Sequence, residues 1–487
     1  MTSFSRRLAR LSCWHLLLAS SLLVTPVMAA PAANRLAPTP APGKAERQSP
    51  LVDSSFRLRK MPNGMDLVTV PSPKVPLVTI VLVAKAGAMT ETKDISGLTH
   101  LWEHMFFKGN QRLSNQEAFM NRVRDLGIVF NGDTSAEVVR YYFTLPSAFL
   151  EEGLQFMSDA ISTPLLEQGE LEKERKVVLD EYDRDASSPG FDRYNLTRKL
   201  QFGPEEHRRN PLGVRKVIET ATREQLLRIK TEVFVPANCA LLVGGDFDQS
   251  RIQSQVEKYF SGWTTPAGWK PVARPVMPKL TATSDFVMTR PKVENADISL
   301  SFSGPLASKD VKDTYAGDIL GRMLGHKNGR FYKKFIDSGL TFGAGAGYYT
   351  QADAGDISVN ASTTPEKAQK VLSALLEEIP EMRRPGYFTR EQLEDAKRSF
   401  AIERKFDLNK ISEHTKSLAF WWAVTGLDYY GSYLVHLNAV RMSDVQAFIG
   451  KWMYKKPHIA SIFMSPEAAV KVGLKDNSAP LMEKFSR

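Results

Sequence analysis

The stretch SGLTHLWEHMFFKGN, residues Ser96 to Asn110, decides how the rest of this chain is interpreted. If it is helical, a period of about 3.6 residues places His100 and His104 one turn apart on one face, with Glu103 beside them. Two imidazoles and a carboxylate then point into the same space. Two neutral histidine nitrogens suit zinc, which would take a third ligand from elsewhere and keep an open position for water. A helix with two structural histidines is the alternative interpretation.

The order H-x-x-E-H gives Glu103 a different task from that of the two histidines. Zinc lowers the pKa of a bound water towards about 7, and a neighbouring carboxylate that is not a ligand can accept the proton. The hypothesis is therefore a catalytic metal site, with His100 and His104 as ligands and Glu103 as general base. A structural zinc site is disfavoured, because such sites are usually closed by protein ligands.

The composition is that of an ordinary globular protein, since 43% of the 487 residues are hydrophobic and 24% are charged. This length predicts two or three domains. The formal net charge of +10 is dispersed, and the sequence has no Lys/Arg block that would indicate nucleic-acid binding. No apolar run of about 18 residues follows the N-terminal segment, so no membrane span is predicted in the mature chain.

The N-terminus predicts an exported protein. Residues 1–29 combine arginines, an apolar core and an A-x-A-like site, which is typical of a secretory signal peptide cleaved after Ala29. Its removal takes three arginines and no acid, so the net charge falls from +10 to +7. Residues 30–50 are rich in Pro and Ala and predict a tether. The mature chain keeps one cysteine, Cys239, so no disulfide forms within it. The predicted location is the periplasm.

Two segments of similar pattern follow each other in the mature chain. The strand VTIVLV from Val78 returns as ISLSFS from Ile298, 220 residues later. A helix that leads into a buried strand also recurs, with Phe234 and Tyr454 again 220 residues apart. A third pair of units keeps this spacing to within one residue, which indicates an internal duplication. The predicted fold class is α+β, with two tandem homologous α/β-sandwich domains.

The predicted boundaries follow from this duplication. Residues 51–261 form the N-terminal domain with the H-x-x-E-H motif, and residues 283–487 form a homologous C-terminal domain without it. Residues 262–282 contain four prolines and no periodic pattern, so they are predicted to be an interdomain linker.

Several local patterns predict individual elements. Residues 62–64 indicate a hairpin turn, and the run from Val75 predicts a central strand covered on both faces. Residues 119–145 predict a helix, a Gly-rich turn and one strand. Thr389 and Gln392 form a capping-box pattern that begins a long helix running towards the aromatic stretch LAFWW.

A duplicated α+β domain with H-x-x-E-H in its first copy resembles the pitrilysin family of inverzincin zinc peptidases. The resemblance rests on the NG hairpin, the strand ending in AGAMTE, GLTHLWEHMFFKGN, the NGDTS turn and the charged helix ERKVVLDE. It covers essentially the whole mature chain. It implies a zinc endopeptidase with one zinc ion per chain, in which this chain forms half of a clamshell.

The residues alone leave the third zinc ligand open among the acids of the charged helix, which are Glu170, Glu172, Glu174, Asp180 and Glu181. The family spacing implies Glu181 as the ligand. It implies Glu174, two turns earlier on the same face, as a group that orients a histidine. A solvated Glu174 is the alternative. The resemblance also implies that a peptide substrate adds as a strand along an edge beginning near Asn131.

The C-terminal domain departs from the family pattern. Members that act alone carry an Arg and a Tyr, in a segment like SRLxxxLRExxGLAY, that reach the substrate carbonyl. Here the segment GRFYKKFIDSGLTF has Ile336 and Phe342 at those positions, and neither side chain can donate a hydrogen bond to a developing oxyanion. Some family members, such as mitochondrial processing peptidase, divide these duties between two chains. The prediction is the catalytic subunit of a heterodimer whose homologous partner supplies the Arg and Tyr. The alternative is a non-catalytic, peptide-binding or scaffold homologue of the same fold.

Overall fold

Two mixed β-sheets, one in each half of the chain, organise the computed structural model, which describes residues 55–484. The predicted signal peptide and the Pro/Ala-rich tether lie outside the described residues. Helices flank both sheets, as the predicted α+β class requires. Within the described residues, no helix combines the length and the apolar character needed to cross a membrane.

The first sheet has six strands in the order β1-β2-β6-β3-β5-β4. These strands are β1 (Arg57–Lys60), β2 (Asp66–Pro71), β3 (Leu77–Ala84), β4 (Val129–Thr134), β5 (Val139–Pro146) and β6 (Cys239–Gly245). The hairpin β1–β2 and the central, almost fully buried β3 confirm two sequence predictions. The single strand predicted in residues 119–145 was wrong, because β4 and β5 form an antiparallel pair there. β4 is a partly exposed edge strand, so its sequence VFNGDT lacks the apolar alternation of a half-buried strand.

The helices of the first half are α1 (Leu98–Phe106), α2 (Gln116–Asp125), α3 (Leu150–Ser162), α4 (Gln168–Ala186), α5 (Phe191–Phe202), α6 (Arg215–Glu219), α7 (Arg223–Glu232) and α8 (Ile252–Phe260). Several of them cover one face of the sheet, and Trp102, Phe106 and Phe143 are fully buried in the core between the two layers. Trp102 and Phe106 belong to α1, so the helix with the histidine motif is anchored in this core by its opposite face.

The second sheet has five strands in the order β7-β11-β8-β10-β9. These strands are β7 (Ser284–Thr289), β8 (Ala296–Gly304), β9 (Gly343–Tyr349), β10 (Gly355–Thr363) and β11 (His458–Met464). The helices of this half are α9 (Val311–Leu324), α10 (Arg330–Tyr332), α11 (Ala368–Met382), α12 (Arg390–Asn409), α13 (Ile411–Val424), α14 (Leu427–Ala439), α15 (Met442–Trp452), α16 (Pro466–Lys471) and α17 (Ser478–Lys484).

The capping box at the start of α12 is present, with the Gln392 backbone N–H donating to Thr389 Oγ1 and the Thr389 N–H donating to Gln392 Oε1. The predicted continuous helix was wrong, because α12 ends at Asn409 and α13 begins at Ile411. Lys410 between them has a non-helical backbone with φ −106° and ψ 85°. This break redirects α13 onto the sheet of the other half.

Each sheet is covered on its second face by a helix from the other half. α13 packs against β3 and β6 of the first sheet, and α5 packs against β8 and β11 of the second. The two helices begin at Phe191 and Ile411, 220 residues apart, so the exchange follows the duplication seen in the sequence. Leu418 and Trp422 of α13 are buried in one apolar cluster with residues of the first sheet, including Val81. The two halves are therefore interlocked by the buried faces of these helices.

Candidate metal centre

Helix α1 begins where a buried carboxylate takes up its first backbone N–H groups. The N–H groups of Gly97 and Thr99 each donate to Glu91 at 2.7 Å, and Glu91 is 1% exposed. The first N–H groups of a helix have no partner inside it, so this contact stabilises its N-terminus. Gly97 has φ 95°, a left-handed conformation that glycine adopts at little cost. The helix then places His100 and His104 on one face.

Helix α4 brings a carboxylate against these two rings. Glu181 Oε2 lies 3.7 Å from His100 Nε2 and 3.6 Å from His104 Nε2. Ligand atoms around a tetrahedral zinc ion are separated by roughly 3.4 Å, given metal–ligand distances of about 2.0–2.2 Å. In the described part of the chain, this is the only group of three or more His, Cys, Asp or Glu side chains with ligand atoms close enough to hold a metal ion. The three residues therefore fit a zinc ion with only small inward shifts.

The second nitrogen of His104 contacts Glu174. Glu174 Oε2 lies 3.1 Å from His104 Nδ1, and Glu174 Oε1 lies 2.5 Å from Lys108 Nζ. Glu174 is 5% exposed, which argues against the solvated alternative. Burial would raise the pKa of Glu174, but hydrogen bonds from His104 and Lys108 outweigh it and hold the pKa below its ordinary value. An ionised Glu174 accepts the Nδ1 proton of His104 and leaves Nε2 available to a metal.

The two histidines have opposite pKa shifts in the metal-free chain. Burial lowers the pKa of His100 to about 3, and the neighbouring His104 acts in the same direction. Burial would also lower the pKa of His104, but hydrogen bonds with Glu174 and Glu181 outweigh it and raise the pKa to about 10. At neutral pH, His100 is ready to bind a metal, whereas His104 carries a proton that the metal must displace.

Glu103 faces the edge strand β4 and lies beside the metal-binding group. Its Oε2 accepts a hydrogen bond from Thr134 Oγ1 at 2.7 Å, and the residue is 6% exposed. Burial raises the pKa of Glu103 to about 7, although the charge of His104 and the hydrogen bond from Thr134 oppose the shift. A carboxyl group with a pKa near the working pH can both accept and return a proton. The environment of Glu103 therefore suits a general base.

Asn131 lies on β4 at the open edge of the first sheet. β4 pairs with β5 on one side and is the last strand in the sheet order. The Asn131 side-chain oxygen accepts a hydrogen bond from the Gly132 N–H at 3.0 Å, and Val129 at the start of the strand is 71% exposed. An edge of this kind can accept an added strand from another chain.

Three residues that touch this group were missed by the sequence predictions: Glu91, Lys108 and Thr134. Lys108 follows His104 by four residues, so helical periodicity could have placed it near the same face. Thr134 belongs to the NGDTS turn, but no periodic signal in the sequence connects that turn with Glu103. Glu91 lies outside the helix that it caps.

The C-terminal half holds the segment in which the family pattern has an Arg and a Tyr. Ile336 is half-buried and packs against the core of that half, and Phe342 is 61% exposed just before β9. Both are hydrocarbon side chains, so these two positions supply no hydrogen-bond donor.

Two interlocked α/β domains, with a His-His-Glu group in the first and none in the second, define the half-clamshell class of metallopeptidases. Residues 67–199 match the family described as Insulinase (Peptidase family M16), and residues 220–400 match the Peptidase M16 inactive domain. The chain therefore belongs to the M16 peptidase family and carries both its N-terminal and its C-terminal domain.

Similar proteins support the same assignment. A Rickettsia felis protein named "Uncharacterized zinc protease" is 26% identical over 331 residues, which are 67% of this chain and 78% of the relative. The crystal structure of a protease from Helicobacter pylori matches with a TM-score of 0.75 at 22% identity, covering 84% of this chain and 99% of that chain. The first half of the periplasmic protease PqqL from Escherichia coli matches with a TM-score of 0.73 at 16% identity, covering 89% and 97%. These likenesses confirm the predicted fold class, two α/β domains that form half of a clamshell.

Proposed function

We propose that this chain is a zinc-dependent endopeptidase that hydrolyses peptides or unfolded segments, with one zinc ion per chain. The observation that carries the proposal is the convergence of three potential ligands, His100, His104 and Glu181, beside the buried carboxylate of Glu103. Three protein ligands leave an open position on zinc, as catalytic sites require. The name of the Rickettsia felis relative, a zinc protease, supports the same function.

The chain's own residues divide the work. His100, His104 and Glu181 would hold the zinc ion, which supplies Lewis acidity towards the scissile carbonyl and the attacking water. Glu103 takes a proton from that water and returns it to the leaving amine, and its raised pKa of about 7 suits both transfers. Glu174 keeps His104 oriented through Nδ1.

The substrate is proposed to add as a strand along the open edge of β4, near Asn131. Backbone pairing along an edge strand gives affinity with little dependence on side chains. This mode suits extended peptides, because a folded substrate has few free backbone groups to pair. It also brings the peptide next to the strand that contacts Glu103.

We further propose that this chain is the catalytic subunit of a heterodimer. The positions at which self-sufficient relatives carry Arg and Tyr hold Ile336 and Phe342, so oxyanion stabilisation must come from another chain. A homologous subunit with the Arg/Tyr pair would supply it. The predicted signal peptide and the likeness to a periplasmic protease favour the periplasm as the location.

The decisive experiment compares peptide hydrolysis by the parent chain and Glu103→Gln, each alone and with a candidate Arg/Tyr subunit, with zinc content measured in parallel. Glu172→Gln is the matched control, because Glu172 is an exposed acid on α4. We expect zinc in all three proteins, and activity in the parent and control only with the partner. Full activity of Glu103→Gln would disprove the mechanism. Full activity of the parent chain alone would disprove the heterodimer, and zinc binding without hydrolysis in any mixture would favour the non-catalytic homologue.

A further inference from the structure

The carboxylate of Glu103 is held by two residues of the same strand. Thr134 Oγ1 donates to Oε2 at 2.7 Å. Gly132 lies against the other oxygen, because a Cβ atom built on Gly132 would come within 2.7 Å of Oε1. Residues two apart on a strand share one face, so Gly132 and Thr134 together form the surface on which this carboxylate rests.

We propose that Thr134 is a positioning residue for Glu103, and that the C-terminal domain fixes Thr134 in place through Glu137. The inference rests on the proposed function, because it assigns Glu103 the role of general base. A glutamate side chain has three rotatable bonds, and proton transfer requires its oxygen within hydrogen-bond reach of the proton. A hydroxyl that occupies Oε2 selects one orientation of the carboxylate and presents Oε1 for the transfer.

The turn that follows Thr134 is held from the N-terminal side. Its ends are closed by the Ser135 N–H, which donates to the Val138 carbonyl at 2.8 Å. The Met89 N–H donates to the Ala136 carbonyl at 2.7 Å, so the segment after β3 grips the turn. This turn joins β4 to β5, and its position sets where β4 ends.

Glu137, at the centre of this turn, binds the other domain. Its side chain is buried, with 1% of the residue exposed, and it accepts hydrogen bonds from the Ala352 N–H at 2.8 Å and the Asp353 N–H at 3.1 Å. Both donors belong to the segment between β9 and β10 of the C-terminal half. Hydrogen bonds from backbone amides to an ionised carboxylate are stronger than neutral ones. The turn is therefore fastened to the domain that has no metal ligands.

A second contact ties the same hairpin to the C-terminal half. The Arg140 guanidinium on β5 forms an ion pair with Asp133 on β4 at 2.8 Å. Its Nη1 donates to the Lys416 carbonyl on α13 at 2.9 Å. Asp133 precedes Thr134, so the residues on both sides of the hydroxyl are anchored outside the N-terminal domain. The C-terminal domain thus contributes to the geometry of the general base without touching it.

The test uses Thr134→Val, which keeps the branched shape and removes the hydroxyl, and Thr134→Ser, which keeps the hydroxyl. Activity is measured in the mixture that gives the parent chain its activity. We expect kcat of Thr134→Val to fall about 10- to 100-fold, with KM and the zinc dissociation constant unchanged. Thr134→Ser should restore most of kcat. A crystal structure of metal-free Thr134→Val should show Glu103 in more than one rotamer, a readout independent of catalysis.

Failure of this inference is distinguishable from failure of the proposed function. If Glu103→Gln is inactive and Thr134→Val keeps the parent kcat, the positioning role is overturned and the peptidase assignment stands. Equal losses in the Val and Ser variants would also overturn it, because packing and not the hydroxyl would then be responsible. Glu137→Gln tests the link between domains: it should lower kcat in the same direction with zinc affinity retained, and an unchanged kcat would refute that link.

Discussion

Replacing Glu174 by Gln should weaken zinc binding without touching a ligand. Glu174 holds Nδ1 of His104 at 3.1 Å, and its lowered pKa keeps it ionised at neutral pH. Loss of such an orienting carboxylate typically costs about 10- to 100-fold in metal affinity. At about 1.4 kcal/mol for each tenfold change, the expected loss is about 1.4–2.8 kcal/mol of zinc-binding free energy. The zinc dissociation constant, measured by competition with a chelator, should rise accordingly.

The same substitution should also destabilise the metal-free chain. The side chains of Lys108 and Glu174 are only 12% and 7% exposed, and Glu174→Gln leaves the Lys108 ammonium without its carboxylate. Removing one partner of a buried ion pair costs about 3–5 kcal/mol. Because Lys108 is not fully buried, we expect a loss of about 3 kcal/mol or less in the free energy of unfolding of the metal-free chain.

A double variant separates these two effects. Lys108→Met in the Glu174→Gln background removes the unpaired charge, so it should recover part of the unfolding free energy. It should not recover zinc affinity, because His104 still lacks its carboxylate. Glu172→Gln, an exposed acid on the same helix, is the control and should change neither quantity. A zinc dissociation constant for Glu174→Gln equal to that of the parent would refute the orienting role.

Two further predictions concern pH. Zinc should displace about one proton, because His104 has a pKa of about 10 in the metal-free chain, so the zinc dissociation constant should fall about tenfold per pH unit between about pH 7 and 9; calorimetry in buffers of different ionisation enthalpy would contradict this by showing no proton release. Burial raises the pKa of Asp318 to about 7, so its favourable contribution to folding is complete below its unfolded pKa of about 3.9 and is lost as the pH rises through 7. Asp318→Asn should therefore gain stability over the parent between about pH 5 and 8 in denaturant unfolding, and a constant difference would refute the assignment.

The sequence predicted the parts of this molecule that depend on local periodicity. The spacing of His100 and His104 needs only one helical turn, and α1 provides it. The third ligand position depends on tertiary packing, because α4 carries several acids and only its contact with α1 brings Glu181 to the two rings. Residue patterns alone do not contain that contact. The family resemblance selected Glu181, and the structure places it beside both histidines.

The edge strand and the exchanged helices were beyond sequence reasoning for a different reason. β4 is polar because one of its edges is open, so it resembles a loop until its pairing with β5 is known. The apolar face of α13 could equally have packed on the sheet of its own half. Its contact with β3 and β6 is a choice between two chemically similar surfaces. Amphipathic pattern reports that a face is buried and not which sheet buries it.

The duplication also explains why the second half supports chemistry that it does not perform. Helix α9 follows β8 as α1 follows β3, and α9 packs on α12 as α1 packs on α4. Between α9 and α12, Arg322 pairs with Glu403. Both side chains are about half exposed, so the pair adds little stability.

The significance of this pair is chemical. A guanidinium has N–H donors and no lone pair to offer a metal, so the second half presents a cation where the first presents ligand atoms. This half is therefore free to act as a frame. Its amides at Ala352 and Asp353 hold Glu137, whereas Ile336 and Phe342 offer nothing to an oxyanion. A frame that positions the base and lacks the donor is what a shared active site requires, so the missing donor is expected on a second, homologous chain.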